Sequence, residues 1–408
     1  GIFTILGLQL QHIQEPLSIL LLWLLGGLMA LCGAVGYARL ARYLPRSGGE
    51  YHFISRIYRP SLGFSAGMAS VLVGFAAPLA LTASAFGHYF QHLVSMPATA
   101  LAVILLIITT AIHGLQAKTG GEIHFGITFL KIALILVFIS LGFSVAPAPS
   151  SQWLPDFSLP GEMMRSEFAL ALIYTSFAYS GWNASCYILE EVRNPGVNIP
   201  RSLLLGSAIV TLLYLLLNFS FLVAVPRAQL AGEIEVAYNA GRALMGATGG
   251  QFVGLVISLA LVTSVSALVV AGSRVYKTLA EDYPFLSVLS RENEGGAPVY
   301  ALLLQSALAL ILLLTLTFES ILTYTGFILI MYATLTVGGN LVLVWKREDF
   351  RLKWWEWSAV LFFILLNAGI AVYMVVDQPV TVVVSTGFAV AGVVAGKTVS
   401  HLRNLPDR

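Results

Sequence analysis

Charge is what this chain has least of. Asp, Glu, Lys and Arg make up 10% of its 408 residues, where an ordinary soluble domain carries about 25%. Together with an apolar fraction of 58% and a mean hydropathy of +0.85, that scarcity excludes the soluble class and points to an all-α membrane protein with many spans. Cysteine is nearly missing as well. Cys32 and Cys186 are the only two, both inside apolar segments, so a disulfide scaffold is excluded and both read as small packing residues. His88, His92, His113 and His124 stand at loop ends without metal-ligand spacing. No CxxC, phosphate-cradling glycine loop or hydrolase elbow is present. No cofactor, metal or enzymatic activity is therefore expected. The net charge of +2 carries no information on partners, and none of nucleic-acid type is expected. No cleavable signal peptide is visible, and the chain opens at Gly1 inside an apolar stretch without a methionine, which suggests that something precedes it.

What the chain does have is a series of apolar runs. Residues 1–10 fall short of the roughly 20 that a span takes and read as the outer half of a helix whose start is absent. Further spans are expected over residues 16–40, 62–87, 98–113, 126–145, 166–192, 202–225, 251–279, 299–317, 321–345, 357–376 and 380–399, making twelve if the first is completed upstream. The tenth is interrupted by Gly326 and by Gly338-Gly339-Asn340, and an amphipathic piece at residues 236–245 precedes the eighth and is placed to lie over a site. Trp354, Trp355 and Trp357 read as an interfacial aromatic belt. Of the 22 Lys and Arg, 18 fall in the loops after spans two, four, six, eight and ten or in the C-terminal tail, while Arg165, Arg227 and Arg242 fall on the other side. The positive-inside rule makes the rich set cytoplasmic, with both termini inside.

The chain is organised around Phe177-Ala178-Tyr179-Ser180-Gly181-Trp182-Asn183, in the middle of the sixth span. Glycine costs about 1 kcal/mol in a helix interior, and in lipid a freed backbone group costs several more unless the protein satisfies it. A break at membrane depth lines a cavity, and transporters place substrate sites there; the alternative is a close helix–helix contact at Gly181. Lys131 is the second outlier. A lysine inside an apolar span is a functional candidate by default, with snorkelling to the cytoplasmic interface as the competing reading. A channel would need a continuous polar stripe and usually oligomeric symmetry, and the paired breaks in a monomer-sized bundle disfavour it.

Four stretches resemble the amino acid/polyamine/organocation superfamily of transporters, and within it the L-type amino acid transporter group and its bacterial relatives. Gly1-Ile2-Phe3 is similar to the end of the break in that family's first helix. Tyr37-Ala38-Arg39-Leu40 through Leu44-Pro45-Arg46-Ser47-Gly48-Gly49-Glu50-Tyr51 resembles the end of the second helix and its loop. Phe177 to Asn183, with Glu190 to Arg201, resembles the sixth helix and the loop after it. Gly272-Ser273-Arg274-Val275-Tyr276 and Ala297-Pro298 resemble the eighth helix and its loop. The resemblance implies a twelve-helix bundle with the five-plus-five inverted-repeat (LeuT-type) fold: a first repeat at residues 1–145, truncated at its start, a second at 166–345, and two extra helices at 357–399. It also implies secondary active transport by alternating access in a bacterial-type cytoplasmic membrane.

An amino acid zwitterion presents a carboxylate and an ammonium side by side. In the family's arrangement a half-helix N-terminus suits the first and the free carbonyls of a half-helix C-terminus suit the second. The resemblance therefore assigns the carboxylate to the backbone of Gly1, Ile2 and Phe3, and the ammonium to Phe177, Ala178 and Ser180, with Asn183 as a further polar contact and the Phe177 ring as a gate or as plain packing. No acid lies in the break, so neutral amino acids are favoured, with a cationic amino acid or polyamine carrier as the alternative. Phe129-Leu130-Lys131 resembles the fifth-helix lysine that stands near the sodium position of sodium-coupled relatives; its ammonium would bridge the first helix to helix eight at Ser264 or Ser266. Sodium-independent exchange or proton coupling follows. Arg39, Arg46, Glu50, Glu190, Glu191 and Arg193 are expected to form cytoplasmic gate ion pairs, with simple interfacial charge as the other reading. Animal members of the group bond to a glycoprotein through a cysteine in the loop after helix three; residues 88–97 here hold none, so no disulfide-linked heavy subunit is expected.

Overall fold

The computed structural model describes residues 1–115, 121–144 and 159–402, and every element among them is helical. In order these are α1 (Ile5–His12), α2 (Pro16–Tyr43), α3 (Gly49–Ile57), α4 (Pro60–Ala69), α5 (Ala77–Phe90), α6 (Ala98–Leu115), α7 (Gly121–Ser144), α8 (Leu159–Met163), α9 (Ser166–Ala178), α10 (Pro195–Ala224), α11 (Val236–Asp282), α12 (Val299–Thr315), α13 (Phe318–Lys346), α14 (Trp354–Asp377) and α15 (Pro379–Leu402). Proline opens α2, α4, α10 and α15, where its missing N–H costs nothing. Among the described residues, eight helical stretches are long and apolar enough to cross a membrane, and Lys131–Ser144, Ser166–Ala178 and Val299–Thr315 are shorter apolar helices. Large apolar side chains such as Ile107, Ile112, Leu205, Ile209 and Val383 point outward, as they do when the solvent is lipid.

The chain divides into two compact units. One comprises Gly1–Leu24, Phe75–Ala178 and Leu212–Leu322. Its centre is built by α5, α6, α11 and α12. Gly87 brings α5 so close to the start of α6 that a Cβ would stand 2.0 Å from the Ala98 carbonyl. Phe138 of α7 packs edge-on against Phe221 of α10, with centroids 5.3 Å apart. The other unit comprises Leu25–Gly74, Tyr179–Thr211 and Thr323–Arg408. There α4 packs along α15, with Gly392 and Gly396 facing Ser65, Phe64 and Ser61. Ile54, Ala66, Ala69, Val73, Ile328 and Tyr332 form a buried cluster beside this contact.

Three expectations about continuity are refined. The third span is joined through a π-helical stretch, Ser70–Ala76, rather than running uniformly. Pro78 lacks an N–H for the carbonyl of residue 74, and a wide turn absorbs that defect. The tenth span is unbroken: α13 runs from Phe318 to Lys346. Its glycines serve packing, since a Cβ on Gly339 would lie 2.7 Å from Ile57, and Asn340 donates to the Val337 and Gly36 carbonyls at 3.0 and 3.3 Å. The amphipathic piece and the eighth span form α11, divided by a non-helical Gly246 at φ 74° and ψ −173°, a conformation open only to glycine.

Candidate functional site

The first unit holds the two half-helix ends. Thr4 and Ile5 donate their N–H groups to the Gly1 carbonyl at 3.0 and 3.1 Å, which starts the first helical turn. The N–H groups of Ile2 and Phe3 precede that turn and have no intrahelical acceptor, so they carry the positive end of the α1 dipole. Helix α1 is held at several points along its length. The Tyr89 hydroxyl donates to the Phe3 carbonyl at 2.7 Å and accepts the Ala237 N–H at 3.2 Å. Gly232 N–H donates to the Gly7 carbonyl at 2.8 Å. Arg227 places Nε and Nη2 on the Leu10 carbonyl at 3.1 and 2.7 Å, a cation at the negative end of the helix.

Helix α9 runs antiparallel to α1. Gln14 N–H reaches Glu162 at 3.4 Å, and the fully buried Gln9 donates to Thr175 at 2.7 Å and to the Ala171 carbonyl at 3.3 Å. The N-terminus of α1 therefore lies at the C-terminus of α9, positive end beside negative end. The last carbonyls of α9, including Phe177 and Ala178, have no helical donor. Tyr214 makes a long contact, 3.4 Å, to the Ala178 carbonyl, and its ring packs edge-on against Trp23, which donates to Gln9 at 2.9 Å. Gln9 and Trp23 carried no functional signal in the sequence. A lone Gln in an apolar half-span was the trace they left.

Lys131 is also in this unit. Helix α7 begins at Gly121, ten residues before Lys131 and so about 15 Å along the axis. Its Nζ donates to Ser264 Oγ at 2.6 Å, and Ser264 donates to the Ala260 carbonyl at 3.0 Å. Of the two serines considered, Ser264 is the partner. Ser266, two positions on and hence on another face of α11, meets His113 at 2.8 Å.

Two of the histidines read as scattered converge. His88 and His92, one helical turn apart, approach the Glu235 carboxylate at 3.5 and 3.4 Å. Gln91 donates to it at 3.0 Å, and His92 stacks on Tyr238 with centroids 3.9 Å apart. Burial alone would raise the Glu235 carboxyl, but the bond and charge of His88, its own backbone N–H and the charge of His92 together hold it below its ordinary value. The side chain of His124 lies outside the described residues. Among the described residues no three such side chains are grouped to hold a metal ion.

The second unit holds the remainder of the break. After Ala178 the chain turns through Gly181 at φ 96° and resumes as two 3-10 turns, Ala184–Tyr187 and Leu189–Glu191. Ser180 is exposed in the turn. Trp182 packs between Tyr37 and Phe363, with centroids 4.7 and 6.4 Å away. Asn183 donates to Glu50 at 2.5 Å. Arg39 and Glu50 are two of the residues expected to form gate ion pairs. Arg39 donates to the Arg351 carbonyl at 2.8 Å and lies over the Phe350 ring, while Glu50 is buried and takes neutral donors. A carboxylate turned inward from the first turn of α3 is satisfied by hydrogen bonds where it lies. Glu190 uses its backbone N–H on Ser47 Oγ at 3.0 Å, and the Arg193 carbonyl accepts from Asn198 at 2.6 Å. Arg46 N–H reaches the Leu44 carbonyl at 2.8 Å. The Glu191 side chain lies outside what is described.

Apolar helices with outward-facing aliphatic surfaces, interrupted by a polar break between short helical turns, define a multi-pass integral membrane protein. Residues 3–396 match the family model described as "Amino acid permease", and the chain belongs to that family. It is 28% identical to the mouse large neutral amino acids transporter small subunit 2 over 343 residues, covering 81% of this chain and 64% of the relative. It is 27% identical to the mouse Asc-type amino acid transporter 1 over 361 residues, 85% of this chain and 67% of that one. The human cystine/glutamate transporter matches at 26% over 357 residues, 86% and 71%. The chain thus spans a little under two thirds of the length of the large neutral amino acid relative.

Proposed function

We propose that this permease carries neutral L-amino acids, large ones among them, across the membrane by sodium-independent alternating access. The observation that carries this reading is the antiparallel pair of α1 and α9, whose opposite helix ends meet in one unit. The backbone N–H groups at Gly1, Ile2 and Phe3 bind the substrate carboxylate. The carbonyls of Phe177 and Ala178, with Ser180 in the following turn, bind its ammonium, and the Phe177 ring closes over it. The Lys131 ammonium stands on helix α11 as a fixed cation in place of sodium. The fold is the twelve-helix, five-plus-five inverted repeat with both termini cytoplasmic. The names of the relatives support an amino acid substrate.

The test is uptake of a labelled neutral amino acid into proteoliposomes at zero sodium. Uptake that requires unlabelled amino acid inside makes the protein an exchanger; uptake into empty vesicles that follows a proton gradient makes it a symporter. Absence of uptake for every neutral amino acid overturns the reading. A second expectation concerns assembly. With Cys186 fully buried and Cys32 on α2 the only other thiol, the protein runs on a non-reducing gel at its own mass when expressed in its host. A covalent heavier species that collapses on reduction would show a disulfide-linked subunit.

A further inference from the structure

The turn Ser47-Gly48-Gly49-Glu50 reads in sequence as a chain reversal, yet three of its four residues meet the segment after the break. Ser47 Oγ accepts the Glu190 N–H at 3.0 Å. Gly49, at φ +54°, lies flat under the Tyr187 ring: a Cβ there would stand 2.8 Å from Cε1 and 2.9 Å from Cζ, so only glycine leaves room for the ring. Glu50 accepts from the Tyr37 hydroxyl at 2.8 Å and Asn183 Nδ2 at 2.5 Å on one oxygen, and from the Tyr187 hydroxyl on the other. Three donors directed at two oxygens leave both oxygens of Glu50 occupied as acceptors. Its place in the first turn of α3 adds the favourable end of that helix dipole.

Asn183 is the N-cap residue of the 3-10 turn Ala184–Tyr187 and Tyr187 ends it, so a single carboxylate holds both ends of it. A 3-10 turn has poorer internal hydrogen bonds than an α-helix and depends on outside support. We propose that Ser47-Gly48-Gly49-Glu50 is the seat of the second half of the broken helix, and that Glu50 is the positioning residue that keeps residues 183–187 in place until the cytoplasmic face opens. The gating part of this statement rests on the transport reading above; the seat itself does not.

Cys186 reports on the seat directly. It lies inside the held turn, fully buried, so maleimide reaches it when the turn leaves Glu50. In a Cys32→Ser background, full-length protein in vesicles without substrate should label slowly. Glu50→Gln places a donor where three donors already point, and labelling of Cys186 should accelerate at least about tenfold, the loss expected when a charged hydrogen-bond acceptor is removed. Tyr187→Phe, which keeps the ring, should give a smaller acceleration. The exchange Glu50→Gln with Asn183→Asp restores one amide–carboxylate bond and should slow labelling again, a rescue that a merely bulky role for Glu50 would not produce. Should Glu50→Gln fail to fold, Gly49→Ala reads the same seat by pushing the Tyr187 ring away. Unchanged labelling in Tyr187→Phe and Gly49→Ala, or labelling in the double exchange as fast as in Glu50→Gln, would overturn the proposal. Labelling needs no substrate, so a failure of amino acid uptake leaves this result standing and falls on the transport reading alone.

Discussion

Lys131→Ala is expected to lower amino acid uptake roughly 10- to 100-fold, the range that corresponds to one hydrogen bond with a charged partner, while the protein still inserts and elutes as a single species. The reasoning begins with position. Ten residues of α7 precede Lys131, and a lysine on an apolar helix that turns into the protein needs a polar partner there. Ser264 Oγ accepts from the lysine at 2.6 Å and donates its own hydrogen bond to the Ala260 carbonyl, so the ammonium ties α7 to α11 through a hydroxyl anchored on its own helix. Alanine removes the charge but leaves Ser264 its backbone bond, so the fold keeps its polar groups satisfied and the loss should fall on transport. Uptake in vesicles with matched protein levels, beside a size-exclusion profile, separates the two. Normal uptake by the alanine variant would reduce Lys131 to a snorkelling side chain.

A comparable loss is expected from Gly7→Ala, by a different route. A Cβ on Gly7 would stand 1.9 Å from the Glu233 carbonyl oxygen and 2.8 Å from that of Leu230, distances no methyl group tolerates. Neither obstacle is a flexible side chain, so helix α1 or the 230–233 loop must shift. The shift also breaks the bond from Gly232 N–H to the Gly7 carbonyl. Overpacking of this kind costs about 1–3 kcal/mol in stability. Its larger consequence is displacement of the Ile2 and Phe3 N–H groups at the start of the same short helix, and a misplacement of about 1 Å in a positioning element can cost on the order of 100-fold in rate. Gly206→Ala is the control, because nothing lies within 4 Å of its Cβ position, and it should transport normally. If Gly7→Ala matches that control in uptake and melting temperature, α1 is not held where the geometry places it.

Some of this was legible in one dimension. Ser180-Gly181 inside an apolar run can be read as a break because glycine and a bare hydroxyl are poor choices for an uninterrupted span, and α9 does end at Ala178. Lys131 stood out for the same reason of cost. Glycines are ambiguous, however: Gly338-Gly339 looked like an interruption but serves close packing against Ile57 within an intact helix. The surroundings of Glu50 were not legible. Its donors come from positions 37, 183 and 187, and a carboxylate in a basic loop reads locally as one half of an ion pair. The clamp around α1 was hidden likewise, because Gln9, Thr175 and Trp23 meet across 14 to 166 residues of chain. Local pattern marks where the backbone is costly; it does not say which distant side chain meets that cost.

The flat contact between Gly49 and the Tyr187 ring also constrains how this chain can be altered. A side chain at position 49 needs residue 187 shortened first, and even then it must take up a backbone at φ +54° that side chains rarely adopt. The two positions, 138 residues apart in the chain, can therefore be remodelled only as a pair.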